Sequence, residues 1–244
     1  MRVLTLLLHW STAHALARAS PGKTMDFLRS KGLLARDETL ATAPGGDEPG
    51  GERARAAAAR SMLSCAASGV IDDLLAPFPG ASCGAAWASS SDRVMGGVSQ
   101  ATMLRDDDAA GRRANVLRGR VSTANSGGFV SMGLDLAPDG ALVDAREWDG
   151  VELTVRCPRA EQYSVHLRTP DCARVFSSYR ASFATAAEWR AVRVPWAAFS
   201  GNGPGAAEAA LDVSRLRRIS LLGIGREFDA ELALADLRFY KGGG

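Results

Sequence analysis

His166 is the one histidine between Trp87 and Tyr240, and histidine is the side chain that most often acts as a general base. A catalytic base needs a nucleophile or an acid placed beside it, and no Ser, Cys or acidic motif stands at a fixed spacing from His166. The residue lies in the alternating run Gln162–Arg168, which predicts a position on the polar face of a strand. We therefore interpret His166 as a polar-face histidine without a catalytic role.

Acidic residues are concentrated at Asp106–Asp108, where three carboxylates are consecutive. Calcium loops space their acidic ligands at alternate positions so that the oxygens converge, which consecutive residues do not achieve. Glu147, Asp149 and Glu152 form no recognised acid pair either. The run Asp106–Asp108 therefore predicts a solvated turn rather than a calcium site. Because no catalytic motif is present, we expect that the chain is not an enzyme.

The cysteines occur without a CxxC pair and without a histidine at metal-ligand spacing; they are Cys65, Cys83, Cys157 and Cys172. No zinc or other metal site is expected, and no motif indicates a cofactor. Cys157 and Cys172 are the one plausible disulfide pair, provided that neighbouring strands bring their Cα atoms within about 7 Å. Two free thiols are the favoured interpretation, and the redox state stays open.

The large aromatic side chains divide the chain into two parts. Residues 85–244 contain four of the five Trp, all three Tyr and six of the eight Phe, whereas residues 1–84 are rich in Ala, Gly, Arg and Pro. One folded domain of ordinary size is therefore expected over residues 85–242. The formal net charge of +2 provides no electrostatic footprint for nucleic acid.

Residues 1–23 combine Arg2, a short apolar run and small residues around Ala15, which is the order of parts in a secretory signal. They also lack acids and contain several Ser and Thr, which is equally typical of an organelle presequence. Both interpretations remove the segment from the mature protein. Residues 24–84 are predicted to be a linker with short helices, because Gly and Pro dominate residues 41–51.

After Trp87 the sequence changes to short β-rich runs separated by Gly, Pro and Asp turns. Gly150–Arg156 and Gln162–Arg168 alternate apolar and polar residues, so Tyr163 and Val165 are predicted to face the core. Further strands are predicted over residues 115–121, 128–136, 179–185, 190–195, 217–223 and 231–240. Strand–helix alternation is missing, so the predicted fold is all-β: an antiparallel β-sandwich of jelly-roll type with a largely irregular or short-helical N-terminal extension.

The most informative stretch begins at Trp87 and continues through residues 91–99, which read SDRVMGGVS. Residues 126–131 read SGGFVS, and Glu188–Arg190 precedes a Val-Pro-Trp run. These motifs, in this order, resemble the family of NADH:ubiquinone oxidoreductase complex I intermediate-associated protein 30, whose domain opens with a Trp and an SDxVMGGxS run. The resemblance covers about residues 87–240.

The resemblance implies a galactose-binding-like β-sandwich and a non-catalytic role as an assembly factor or scaffold in an organelle, for mitochondrial respiratory complex I or, in photosynthetic relatives, another complex. The implied partners are subunits or assembly intermediates of an organelle membrane complex, with membrane contact only through them. The implied compartment is the mitochondrion, with a plastid or a secretory route through residues 1–17 as alternatives. The candidate partner- or ligand-binding residues are Asp92, Arg93, Met95, Gly96, Gly97, Ser99, Gly127, Gly128, Phe129, Trp148 and Arg168.

The signature also has a structural interpretation. Gly96 and Gly97 permit a positive φ or close backbone approach, and Asp92 can accept backbone N–H bonds in a turn. Met95 and Val98 can fill the core. The run is not a phosphate loop, because no Lys-Ser/Thr pair or helix follows it.

A carbohydrate-binding module of a secreted or endomembrane protein is the alternative function. Galactose-binding-like sandwiches often hold sugars on aromatic platforms with hydrogen-bonding side chains. Tyr163, His166, Arg168 and Trp148 would form such a face. In an assembly factor the contact surface would instead include exposed apolar groups, for which Trp148, Trp196 and Phe199 are further candidates.

Overall fold

The computed structural model describes residues 65–242, apart from the side chain of Ser126, and the predicted presequence lies outside this range. The strands of the described part are β1 (Val70–Asp72), β2 (Ala88–Ser91), β3 (Gln100–Asp106), β4 (Ala114–Val121), β5 (Phe129–Asp135), β6 (Gly150–Arg156), β7 (Gln162–Arg168), β8 (Ser178–Ala184), β9 (Arg190–Pro195), β10 (Ser200–Asn202), β11 (Arg218–Ile224) and β12 (Phe228–Tyr240). Short 3-10 turns occur at Asp92–Met95, Ala124–Ser126, Pro138–Gly140, Trp196–Ala198 and Val213–Arg215.

The strands form two six-stranded sheets. The first has the order β3-β4-β12-β6-β9, with β1 also paired to β12, and the second has the order β10-β8-β7-β11-β5-β2. All neighbouring strands in both sheets are antiparallel. The predicted antiparallel β-sandwich is therefore confirmed.

The alternation within β7 decides which side chains enter the core. Tyr163, Val165 and Leu167 are at most 1% exposed and belong to the core cluster of the sandwich, as predicted. Burying each of them contributes roughly 1.5–3 kcal/mol. Because the side-chain period of a strand is two, His166 and Arg168 lie on the outer face of the second sheet.

The strands that sequence patterns did not predict are β1, β2, β3 and β10. β2 reads Ala-Ser-Ser-Ser and β10 reads Ser-Gly-Asn, so neither carries an apolar alternation. β2, β3 and β10 are edge strands, where fewer side chains need to be buried and the hydrophobic signal is weak.

The described end of the predicted linker packs on the sandwich. β1 pairs with β12, and Ile71 and Cys83 are fully buried in the core cluster. Asp72 is also fully buried, and its carboxylate accepts the Trp87 indole N–H at 2.6 Å and the Asn115 amide at 3.2 Å. The Trp that opens the family signature is therefore tied to a residue that precedes the predicted domain.

All four cysteines are free thiols and are buried. Burial, together with the neighbouring Cys83, raises the pKa of the Cys65 thiol to about 12. This thiol is therefore protonated at neutral pH, and it packs as a small apolar side chain.

Candidate functional site

Asp92 follows β2 directly and is fully buried. One carboxylate oxygen accepts the Ser99 backbone N–H at 2.9 Å. The other accepts the Ser99 hydroxyl at 2.5 Å, the Gly128 N–H at 2.5 Å and the Phe129 N–H at 3.3 Å. A single side chain thus joins the loop after β2 to the start of β5.

The same contacts set the protonation state of Asp92. Burial on its own raises the pKa of this carboxyl, because the charged form loses its hydration. Hydrogen bonds from the Ser99 hydroxyl and from the amides of Gly128, Ser99 and Phe129 outweigh burial and hold the pKa below its ordinary value. Asp92 is therefore ionised at neutral pH, and hydrogen-bond donors balance its charge.

Two glycines of the signature make room for this carboxylate. A Cβ on Gly97 would lie 2.3 Å from the Asp92 Cγ, and one on Gly127 would lie 2.5 Å from the Asp92 Oδ2. Gly96 has a different role: its φ is +90°, and a Cβ there would meet nothing within 4 Å. In the pair Gly96–Gly97, the first glycine therefore provides the turn conformation and the second allows the close approach of the Asp92 carboxylate.

The structure brings together most of the candidate binding residues around Asp92, but it places the carboxylate and Ser99 inside the protein. Arg93 and Met95 lie on the surface. The prediction that Met95 and Val98 fill the core was wrong, since they are 53% and 46% exposed. The turn directs Asp92 inward, which leaves the following side chains on the solvent side.

The outer face of the second sheet forms a groove of about 590 Å³. This volume lies in the range of sites that hold a small molecule or a short peptide. Phe129, Met95 and Arg168, which were predicted as binding residues, all line it. Other lining residues are Ser90, Ser131, Asp135, His166, Arg180 and Ser220.

His166 lies in the groove with 7% of its surface exposed. Its Nδ1 is 3.2 Å from the Ser178 Oγ, which also accepts the Arg180 Nε–H at 3.0 Å. The Nε2 atom is buried and has no hydrogen-bond partner among the described residues. Burial, followed by the neighbouring Arg180 charge, lowers the pKa of His166 to about 3, so the ring is neutral at physiological pH.

Arg168 lines the groove, but its guanidinium is engaged by the connection between β7 and β8. It donates to the carbonyls of Cys172 at 3.4 Å and Arg174 at 2.9 Å, and also to that of Val175. These bonds position Val175 and Phe176, which are 80% and 50% exposed. Arg168 therefore shapes one rim of the groove.

We expect Arg168→Lys to loosen this rim without unfolding the sandwich, because an ammonium group cannot span three carbonyls as a guanidinium fork does. Amide hydrogen exchange at Cys172 and Ser177, whose N–H groups bond within the same connection, should accelerate roughly tenfold. Arg190→Lys, at an exposed position on β9, is the control. Unchanged exchange at Cys172 and Ser177 would contradict this role.

The remaining aromatic candidates lie in the core or pack elsewhere. The Trp148 indole donates to the Ala66 carbonyl at 3.0 Å and stacks on Phe239 with ring centroids 6.3 Å apart. Trp196 donates to the Trp148 carbonyl at 2.6 Å and contacts Phe199. None of these rings lines the groove, and Tyr163 is in the core.

The groove also contains three residues that the sequence did not predict as binding residues: Phe176, Ser178 and Arg180. The alternation of β8 contained a usable signal, since Ser178 and Arg180 share a face, but it did not reveal that β8 lies beside β7. That neighbour relationship places Arg180 opposite His166.

The family model of complex I intermediate-associated protein 30 matches residues 78–234. This chain belongs to that family. The match includes the Asp92 cluster, every residue that lines the groove and every strand from β2 to β11. No curated protein sequence matches the chain.

Two solved structures have the same fold at low sequence identity. One is the family 11 carbohydrate-binding module of the cellulosomal cellulase Lic26A-Cel5E of Clostridium thermocellum, with a TM-score of 0.55 and 13% identity over 71% of this chain and 94% of that one. The other is a family 11 module from the same organism in complex with a β-1,3-1,4-mixed-linked tetrasaccharide, with a TM-score of 0.55 and 13% identity over 70% and 94%. They confirm the galactose-binding-like sandwich fold.

Two features are absent from the described residues. No helix in this part of the chain is long and apolar enough to cross a membrane. Within the same residues no group of three or more His, Cys, Asp or Glu side chains is arranged to hold a metal ion.

Proposed function

We propose that this protein is a non-catalytic assembly factor or scaffold that binds subunits or assembly intermediates of respiratory complex I in the mitochondrion. The family match over residues 78–234 carries the proposal, since the family is named for association with complex I intermediates. The groove offers a contact surface, because exposed Val94, Met95, Val175 and Phe176 line it.

The chemistry of His166 favours binding over catalysis. A serine hydroxyl beside a histidine is the beginning of a catalytic dyad, and Ser178 and His166 are in hydrogen-bond contact. However, burial and then the Arg180 charge lower the pKa of His166 to about 3, which makes it a weak base at neutral pH. Its Nε2 is also not oriented by a carboxylate among the described residues.

The test is affinity purification of the tagged full-length protein from its own cells in mild detergent, with mass spectrometry of what co-purifies. Wild type should recover complex I subunits. In a rim variant, Val94, Met95, Val175 and Phe176 are all changed to Ser. This variant should fold, because these exposed side chains contribute little to the core, but it should no longer recover the complex I subunits. The matched control changes Leu75 and Leu142, which are 81% and 44% exposed and lie outside the groove, to Ser.

Recovery of no organelle membrane-complex subunits by the wild type would contradict the assembly function. Microscopy of the full chain with a C-terminal fluorescent tag tests the compartment in the same cells. Mitochondrial signal supports the proposal, plastid signal redirects it to another organelle complex, and a secretory pattern supports the alternative function.

The alternative is a carbohydrate-binding module, and the side chains of the groove weigh against it. Of the predicted sugar-contact residues, His166 and Arg168 line the groove, whereas Tyr163 and Trp148 do not. Its aromatic lining consists of Phe129 and Phe176, without the broad Trp or Tyr rings that commonly stack on sugars. Calorimetric titration with a β-1,3-1,4-mixed-linked tetrasaccharide tests this function directly.

A further inference from the structure

The hydrogen-bond pattern in the groove leaves one buried donor unused. Ser178 Oγ accepts the Arg180 Nε–H, so its own proton is best donated to the His166 Nδ1. A neutral ring that accepts at Nδ1 carries its proton on Nε2. That Nε2–H is buried and has no acceptor among the described residues. Buried polar groups are nearly always paired, so this donor indicates an acceptor oxygen supplied by another molecule.

The charges around the Nε2–H donor indicate whether the acceptor oxygen of the ligand is neutral or anionic. Four arginines line the groove against one carboxylate, that of Asp135, which pairs with Arg218 at 3.0 Å. Arg168 is engaged by carbonyls. Arg180 is half-buried, and its Nε and NH2 atoms donate to the Ser178 hydroxyl and the Phe176 carbonyl. No described residue forms an ion pair with Arg180, and a partly buried cation without a counter-ion favours an anionic ligand.

Exposed apolar side chains flank His166 and Arg180 on two sides of the groove. Four antiparallel steps separate β8 from β2 in the second sheet, so these two strands run in the same direction. Val94 and Met95 follow the end of β2, whereas Val175 and Phe176 precede the start of β8, so the two pairs lie near opposite ends of the strands. The exposed fractions are 76% and 53% for the first pair and 80% and 50% for the second. A ligand that crosses the sheet between them would meet an apolar rim, a cationic centre and a second apolar rim.

We propose that the groove binds an extended segment of a protein partner, in which an Asp or Glu side chain reaches the His166 Nε2–H and Arg180 and flanking apolar side chains pack on Met95 and Phe176. This inference rests on the proposed function, since it names the chemistry of the partner segment. A carboxylate supplies the acceptor that Nε2 lacks and the counter-ion that Arg180 lacks. A neutral sugar would supply only the first.

The test selects binders from a displayed library of random decapeptides against the full-length protein. Selected peptides should contain Asp or Glu between apolar residues, and replacing that acid by Asn or Gln should weaken binding about tenfold or more, as expected for a lost hydrogen bond to a charged group. Binding should also weaken as salt is raised. Arg180→Gln should weaken binding similarly, whereas Arg190→Gln, the same charge change on β9 in the other sheet, should leave it unchanged.

Variants of His166 separate ligand recognition from a structural role. His166→Gln retains an N–H near the position of Nε2 and should keep most of the affinity. His166→Leu removes the unpaired Nε2–H donor together with the acceptor of the buried Ser178 hydroxyl, so it should weaken binding about tenfold and also lower the thermal midpoint. A merely structural histidine would show the loss of stability without a loss of affinity in the folded Leu variant.

Three results would overturn the proposal: selected peptides without acidic residues, equal binding by acidic peptides and their amides, or affinity that is insensitive to both Arg180→Gln and His166→Leu. Binding of the mixed-linked tetrasaccharide in place of acidic peptides would also overturn it. If complex I subunits still co-purify with the wild type in any of these cases, the assembly function stands and only the partner chemistry is wrong. Selection of acidic peptides without any such co-purification supports the groove chemistry and contradicts the assembly function.

Discussion

Asp92→Asn is expected to lower the free energy of unfolding by about 3 kcal/mol, because it removes the charge that four hydrogen bonds stabilise inside the protein. The Asn amide nitrogen would also face backbone N–H groups, donor against donor. Urea unfolding at pH 7 followed by tryptophan fluorescence measures the loss. Asp107→Asn, at an exposed position paired only with Arg113, should change stability by less than about 0.5 kcal/mol.

The same variant should alter the acid dependence of stability. The pKa of Asp92 is lowered in the folded state, so the unfolded state binds more protons in the acid range. Its contribution is therefore fully present above the unfolded pKa of about 3.9 and is lost as pH falls through the lower folded pKa. The difference between wild type and Asp92→Asn should shrink below about pH 4. A difference that is constant down to pH 2 would show that the charge is not what stabilises the cluster.

Gly97→Ala is expected to cost about 3 kcal/mol or to prevent folding, since its Cβ would lie 2.3 Å from both the Cγ and the Oδ1 of Asp92. Asp92 cannot retreat without breaking its bonds to Ser99 and Gly128. Thermal unfolding and the yield of soluble protein measure the effect.

Gly96→Ala is the matched control, because it introduces the same methyl group one residue earlier where nothing lies within 4 Å. Its cost should be only the strain of a positive φ, about 1–2 kcal/mol. Equal losses in the two variants would mean that backbone conformation, and not contact with the carboxylate, requires the Gly-Gly pair.

The part of the sequence that most strongly identifies the family has a structural role. The buried carboxylate of Asp92 joins the loop after β2 to the start of β5, and the turn that results presents Val94 and Met95 beside the groove. The signature and the groove are thus linked: the run Asp92–Ser99 is buried at its two ends and exposes residues 93–96 between them.

Much of the fold follows from local sequence patterns. β6, β7 and β9 have the bounds that alternation and turn residues predict, because the side-chain period of a half-buried strand is a local property. The same alternation placed His166 and Arg168 on the outer face of β7. The motifs from Trp87 to Trp196 also sufficed to identify the family, which the family model confirms.

The contacts that bring these side chains together depend on residues far apart in the sequence. Asp92 accepts bonds from residues 36 and 37 positions away, and Asp72 is joined to Asn115 across 43, so neither contact has a local signal. The prediction that Met95 fills the core failed because hydrophobicity does not tell which way a short turn faces. Arg180 meets His166 because β8 pairs with β7 in one particular register. Alternation specifies which face a side chain occupies, whereas strand order and register, set by packing of the whole sandwich, determine its neighbours.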